Sequence, residues 1–247
     1  LGVDIFFVIS GFLITSIILR EHVGGGFSYQ QFVVRRARRI LPALLVVSMV
    51  CVPFAYWLML PDALENFGQS LVATLFSANN VLLWLTTGYW DLSSEYKPLL
   101  HTWSLGLEEQ FYVLYPLVLI GLFRLKRPLL LPGLSVLALF SFFFMLYELN
   151  RDAAAAFYLL HCRAWQLLVG GIAAVAATRF QIKPSEKWAG LGVLAMVSSL
   201  LPWSSQGTLL PVHMLLATFG AAFYLLWASN ELLVAWPFNR RATIFVG

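Results

Sequence analysis

Charge is what this sequence has least of: Asp, Glu, Lys and Arg make up 11% of its 247 residues, under half of the roughly 25% usual for a globular domain. So little charge excludes a disordered chain, a solvated coiled coil and a nucleic-acid-binding fold. Cysteine is scarce as well. Cys51 and Cys162 both fall in apolar runs, which leaves no disulfide framework and no paired-cysteine metal site, and no other metal-ligand spacing is present. The net charge of +4 is small, so its placement matters more than its sum. What fills the chain is apolar: 60% hydrophobic and 15% aromatic residues, with a mean hydropathy of +0.79. A transmembrane β-barrel needs alternating apolar and polar residues in segments of about ten, whereas Ile40 to Leu60 is apolar on every face. The composition predicts an all-α, multi-pass membrane protein.

A bilayer-crossing helix takes about 20 mostly apolar residues. Eight runs qualify, at roughly 1–19, 40–60, 67–87, 103–123, 129–148, 157–178, 188–203 and 209–229, and a ninth begins at Ala242. The chain opens inside an apolar run and lacks an initial Met, so it reads as an excerpt of one longer membrane domain spanning 1–247. Basic residues gather in four connectors: Arg20 with Arg35, Arg36, Arg38 and Arg39; Arg124 with Lys126 and Arg127; Arg179 with Lys183 and Lys187; and Arg240 with Arg241. These connectors are expected in the cytoplasm. Asp62, Glu65, Asp91, Glu95, Glu148 and Asp152 occupy the others. With both neighbouring spans fixed in direction, 67–87 cannot cross once as a simple helix. Its Asn79-Asn80 pair, with Gly68 and Gly88 nearby, suits a re-entrant or interfacial element.

Four charged residues lie inside the apolar runs: Asp4, Glu108, Glu109 and Arg163. A charge at mid-bilayer costs about 2.5–3.5 kcal/mol on insertion scales, so each needs a partner or a wet cavity. The orientation above puts all four in the outer half. From His101, helical spacing aligns His101, Ser104, Glu108, Tyr112 and Tyr115 in one stripe able to position a hydroxyl and pass a proton. Trp103 and the two tyrosines also suit a simple interfacial aromatic belt. Glu109 lies about 100° away on the same helix, within reach of Arg163 or of an arginine elsewhere. Asp4, Val8, Gly11 and Thr15 share a face with small residues, and Ser10-Gly11 reads more readily as a packing notch than as a nucleophile. Arg163, Gln166 and Gly170 share a face too. Arg163 either snorkels to the interface or grips an oxygen from inside. The arginines of RRARRILP suit anionic lipid, or a phosphorylated donor gripped through guanidinium forks.

Four segments carry a resemblance: GVDIFFVISGFLIT (Gly2 to Thr15), RRARRILPA (Arg35 to Ala43), YWDLSSEYKPLLHTWSLGLEEQFYVLYP (Tyr89 to Pro116) and YLLHCRAWQLLVGG (Tyr158 to Gly171). Together they resemble the acyltransferase-3 family of bacterial membrane enzymes, which acylate cell-surface carbohydrates. The resemblance implies a bundle of about ten helices in the bacterial inner membrane. It implies no bound cofactor, with acyl-CoA (acetyl-CoA in the simplest case) as co-substrate and a saccharide hydroxyl, as in O-antigen or peptidoglycan, as acceptor. The KPLLHTWSL version is similar to the branch that often carries a C-terminal extracytoplasmic SGNH-type domain, which does not occur within these residues. Position by position, the family pattern points to Asp4, Ser10 and Gly11, to Arg36 and Arg39, to His101, Trp103, Ser104, Glu108, Glu109 and Tyr112, and to Arg163. Two departures stand out. The family's usual catalytic histidine belongs to a helix before GVDIFF, and Gln166 replaces a usual glutamate.

These readings combine into an expectation of O-acyl transfer across the membrane. Arg36 and Arg39 would hold the donor's phosphates. Asp4, His101, Glu108 and Glu109 would serve the chemistry, and Ser10, Trp103, Ser104, Tyr112 and Arg163 would hold substrate. A transporter or flippase relaying protons or substrate through Asp4, Glu108 and Arg163 is the rival from another class, and a structural membrane subunit is the third reading.

Overall fold

The computed structural model describes residues 1–87, 97–125, 127–201 and 210–228, and the described residues form helices joined by short turns. The helices are α1 (Gly2–Val23), α2 (Tyr29–Leu58), α3 (Pro61–Leu75), α4 (Asn79–Thr86), α5 (Thr102–Leu125), α6 (Leu130–Leu149), α7 (Ala153–Tyr158), α8 (Leu160–Phe180), α9 (Glu186–Ser198) and α10 (Leu210–Trp227), with a 3-10 turn at Arg127–Leu129. Asp91, Glu95, Gly88, Arg240, Arg241 and the apolar run from Ala242 lie outside the described residues.

Among the described residues, five stretches are long and apolar enough to cross a membrane: α1, α2, α5, α6, and α7 with α8 taken as one. Eight apolar runs is therefore a little more than the structure supports as spans, and the other three, of which 67–87 is expected not to cross simply, fall short for local reasons. The run 67–87 is cut between α3 and α4 at Ser77, whose φ of +54° no helix accommodates. The run at 188–203 supplies only the 13 residues of α9, about 20 Å of helix. The run at 209–229 supplies α10, whose apolar helix of Pro211–Trp227 is shorter than a full span.

The start of α2 also differs from expectation. The sequence pattern suggests a connector ahead of a span at 40–60, but Ser28 caps the helix by accepting from the Gln31 N–H, and Arg35 to Arg39 lie within its first three turns. Arginine is a good helix former, so the run lengthens the helix instead of preceding it.

The chain divides into two compact units. The first comprises Leu1–Val23, Leu122–Phe140 and Trp165–Gly247; the second comprises Gly24–Gly121 and Ser141–Ala164. In the first unit, α1 and the body of α8 cross in backbone contact. A Cβ on Gly11 would stand 1.9 Å from the Leu167 carbonyl oxygen, and one on Gly170 would stand 2.0 Å from that of Val8. Glycine is required at both places because only a bare Cα permits so close an approach, the usual device for packing helices in lipid. The face of Asp4, Val8, Gly11 and Thr15 is buried against this crossing, as its spacing predicts. A second glycine pair, Gly192 on α9 and Gly220 on α10, also brings two helices into backbone contact, a Cβ on either standing 2.6 or 2.8 Å from the other's carbonyl oxygen.

In the second unit, polar side chains hold the broken segments. Gln110 of α5 donates to the Ser77 carbonyl at 2.9 Å and to Asn80 Oδ1 at 2.9 Å. Asn80 donates to the Tyr158 carbonyl at 3.0 Å, at the break between α7 and α8. Asn79 donates to the Leu99 carbonyl and to Thr102 Oγ1 at the start of α5. These bonds satisfy backbone groups that the helix breaks leave open, which buried backbone demands. The Asn79-Asn80 pair thus sits at the break, whereas Gly68 lies within α3 with nothing near its Cα and is no hinge.

Candidate active site

In the second unit, α2 and α5 enclose a cavity of about 190 Å³ whose lining includes Phe32, Arg36, Ile40, Glu109, Tyr112 and Val113. The Arg36 guanidinium lies 5.4 Å from the centre of the Tyr112 ring and 5.7 Å from that of Phe32, a cation held between two aromatic faces. The Tyr112 hydroxyl donates to Glu108 Oε2 at 3.0 Å, the i,i+4 contact that the helical stripe predicts. Arg36 also interacts electrostatically with Glu108. Glu108 is 3% exposed and Tyr112 7%, while Arg36 is partly buried. Tyr29, at the start of α2, donates its hydroxyl to the Val113 carbonyl at 3.1 Å and fixes where the two helices meet.

This arrangement changes one expectation. Charge placement predicts the arginines at a cytoplasmic mouth and the glutamates in the outer half, as the two ends of a path. The structure puts Arg36 beside Tyr112, one helical turn from Glu108, with Glu109 on the wall of the same cavity. Because α2 begins at Tyr29, the arginine run travels along α5 as helix and delivers one guanidinium to its midpoint. Arg39 and Arg35 lie near enough to repel Arg36 electrostatically, with both side chains exposed.

A second cluster forms around Arg163. Its Nε donates to the Phe157 carbonyl at 3.1 Å, and its guanidinium lies over the rings of Phe157 at 4.8 Å and Trp103 at 5.9 Å. The break at Leu159 frees that carbonyl from the helix ladder, and the arginine fills the vacancy. Trp103 packs on Phe157 and Tyr158 as well. Arg163 is thus a buried guanidinium and does not snorkel.

The remaining predicted residues divide clearly. Ser104 lies on α5, where its hydroxyl donates to the His101 carbonyl at 3.3 Å. His101 precedes the first residue of α5 and its side chain is exposed, so it stands off the stripe that Ser104, Glu108 and Tyr112 continue. Asp4 belongs to the first unit, where Gln166 Nε2 donates to its Oδ1 at 2.7 Å. Both are buried, at 4% and 0% exposure. Ser10 is buried on α1 beside the glycine crossing, in keeping with a packing notch. Gln166 thus serves as an amide donor to the buried Asp4 carboxylate.

Two residues escaped the sequence reading. Gln110, next to Glu109, pins α5 to the α3–α4 break and so sets which face of α5 meets α2. Gly106, one turn earlier, allows that contact, since a Cβ there would lie 3.1 Å from Ser77 O and Asn80 Oδ1. The signal was available as a G-x-x-x-Q spacing on the face opposite the acidic one, but a glutamine among charges draws less notice.

With this geometry in hand, likeness to known proteins becomes informative. A protein of Haemophilus influenzae with no assigned function is 33% identical over 213 residues, covering 81% of this chain and 84% of that relative. A Staphylococcus aureus (strain COL) protein bearing the provisional name O-acetyltransferase is 35% identical over 192 residues, 74% of this chain. A Bacillus subtilis (strain 168) protein provisionally named peptidoglycan O-acetyltransferase is 37% identical over 180 residues, 69% of this chain. The matches span only 31% and 28% of the length of these last two. No solved structure matches. The sequence model of the family described as acyltransferase domain matches residues 1–246, and the chain belongs to that family, acyltransferase-3, as a multi-pass membrane acyltransferase domain.

Proposed function

We propose that the chain moves a short acyl group, acetyl in the simplest case, from acyl-CoA to a hydroxyl of a cell-envelope saccharide. The observation that carries this reading is the Arg36–Tyr112–Glu108 cluster on a cavity wall that Glu109 shares. The family match and the O-acetyltransferase names of the relatives support it.

The chemistry needs a base near a hydroxyl and a cation near the charge that develops on a thioester oxygen. The acceptor oxygen attacks the thioester carbonyl, the new C–O bond forms and the C–S bond breaks. The proton lost by the hydroxyl leaves with the CoA thiolate by way of the base. Arg36 offers fixed N–H donors for a donor phosphate or for the oxyanion, held in place by two ring faces. Arg39 adds positive charge one turn along. Glu108, in contact with the Tyr112 hydroxyl, orients the base or takes the proton itself. Trp103 and Arg163 offer an aromatic face and a guanidinium of the kind that binds a sugar ring and its oxygens.

The test uses the full-length protein in membranes. Glu108→Gln and Arg36→Ala are expected to lower acylation by at least a factor of 100, about the contribution of one positioned acid–base group, while insertion and detergent-extracted yield stay at the wild-type level. Arg36→Ala should also raise the KM for acyl-CoA. Wild-type acylation in both variants would remove this cluster from the site.

A further inference from the structure

We propose that the first unit holds one anionic phospholipid in a groove between α1 and α8, its phosphate between Arg20 and Arg179. The groove has a volume of about 860 Å³. Its shape follows from the glycine crossing. The helices touch at Gly11 and Gly170 and run in the same direction, because the Asp4–Gln166 contact precedes the crossing on both chains and the groove follows it on both. Two straight helices that cross must diverge beyond their point of contact, and the wedge between them opens toward their C-terminal ends.

The lining grades along this wedge. Phe12 and Ala174 lie near the crossing, Leu19 and Phe123 lie further out, and Arg20 and Arg179 stand at the wide end. Both arginines occupy the last turn of their helix, both are exposed, and neither is salt-bridged among the described residues. Thr178 donates its hydroxyl to the Ala174 carbonyl at 2.9 Å, and with Ser16 it is one of two hydroxyls on a lining that is otherwise apolar between the crossing and the arginines. From Phe12 to Arg20 is about 12 Å of helix, comparable with the roughly 15 Å depth of one hydrocarbon leaflet.

A ligand for this groove is an amphiphile with negative charge at one end and hydrocarbon along the rest. The basic connectors after α1 and α8 belong to the cytoplasmic side by the positive-inside rule, where anionic lipids concentrate and basic pockets between helices collect their headgroups. A CoA thioester matches less well, since its adenine, ribose and phosphates would meet an apolar wall. This inference stands apart from the acyl-transfer reading, and its test needs no activity.

The experiment is native mass spectrometry of the full-length protein, released from vesicles of phosphatidylglycerol and phosphatidylcholine in equal parts. The wild type should retain one phosphatidylglycerol at least tenfold over phosphatidylcholine. The exposed double variant Arg20→Gln, Arg179→Gln should lose that preference, and Arg20→Lys, Arg179→Lys should keep most of it because the charge remains. Ala177→Trp, which fills the groove and spares both arginines, should lose the bound lipid altogether. Equal lipid retention by wild type and the Gln variant would overturn the proposal. So would a wild type that carries no lipid because further chain covers the groove, or one that exchanges its lipid for added acyl-CoA at equal concentration.

Discussion

Replacing Gly11 by alanine isolates the contact that joins α1 to α8. The added Cβ would stand 1.9 Å from the Leu167 carbonyl oxygen and 2.9 Å from its Cα. An ordinary contact begins near 3.4 Å, so the helices must separate by about 1.5 Å or bend. The obstruction is backbone, and no rotamer change relieves it. Overpacking of this kind costs typically 1–3 kcal/mol, and a backbone obstacle on a helix interface belongs at the upper end. Alanine at a mid-helix glycine gains about 1 kcal/mol in helix propensity. The net expectation is a loss of about 2 kcal/mol, which lowers Tm by about 4–8 °C in a chain of this size. Gly121→Ala is the control, because Gly121 is also mid-helix and a Cβ there meets nothing within 4 Å. It should leave Tm unchanged or raise it. Thermal unfolding followed by fluorescence-detected size exclusion in detergent measures both. Equal Tm values for the two variants would refute the claim that the α1–α8 crossing is a backbone contact.

Two further outcomes follow from the polar contacts of the second unit. Asn80→Ala removes the bond to the Tyr158 carbonyl and one partner of Gln110 at a site that is fully buried; stranding those groups should cost about 1–3 kcal/mol, and wild-type thermal stability would deny the clip between α4, α5 and α7. Asp152 caps α7 and accepts from the Trp84 indole N–H at 2.8 Å. That bond and the Ala155 N–H hold its carboxyl below the ordinary Asp value, so the stabilisation is complete above about pH 3.9 and is lost as pH falls through the lower folded-state value. The Tm penalty of Trp84→Phe should therefore be equal at pH 7 and pH 5 and shrink below about pH 4, and a penalty undiminished at pH 2.5 would count against the indole–carboxylate bond.

Where the sequence was a good guide, the reason is periodicity. Ser104, Glu108 and Tyr112 lie on one face of α5, buried at Glu108 and Tyr112, because i,i+4 spacing imposes it, and Asp4, Val8, Gly11 and Thr15 form one buried face of α1. The five spans emerge from length and apolarity alone. His101 leaves the stripe because α5 starts only at Thr102, and a helix boundary is the feature that spacing defines least. The Asn79-Asn80 pair points to a turn within 67–87, but not to Ser77 itself, because neither glycine nor proline marks that residue. Its bonds come from Gln110 of α5, thirty-three residues away. Long-range pairing of that kind leaves no local trace, and the Gln166–Asp4 contact across 162 residues is the extreme case.

The position of Arg36 sets it apart from the rest of the basic run. Tyr112 is about 15 Å from the first residue of α5, a helix of 24 residues and about 36 Å. A guanidinium over its ring is therefore carried to the middle third of a membrane-spanning helix. A cation at that depth is costly unless it is paired or reached by water. Glu108 supplies the opposite charge, Phe32 and Tyr112 supply ring faces, and the cavity wall formed with Glu109 supplies room for solvent or substrate. Arg35 and Arg39, on the same helix, stay exposed and need no such provision. The protein thus spends three separate features on a single arginine of the run, whereas orientation in the membrane would be served by any of them. That difference between Arg36 and its neighbours is what supports the proposal that it works on a ligand as well as on topology.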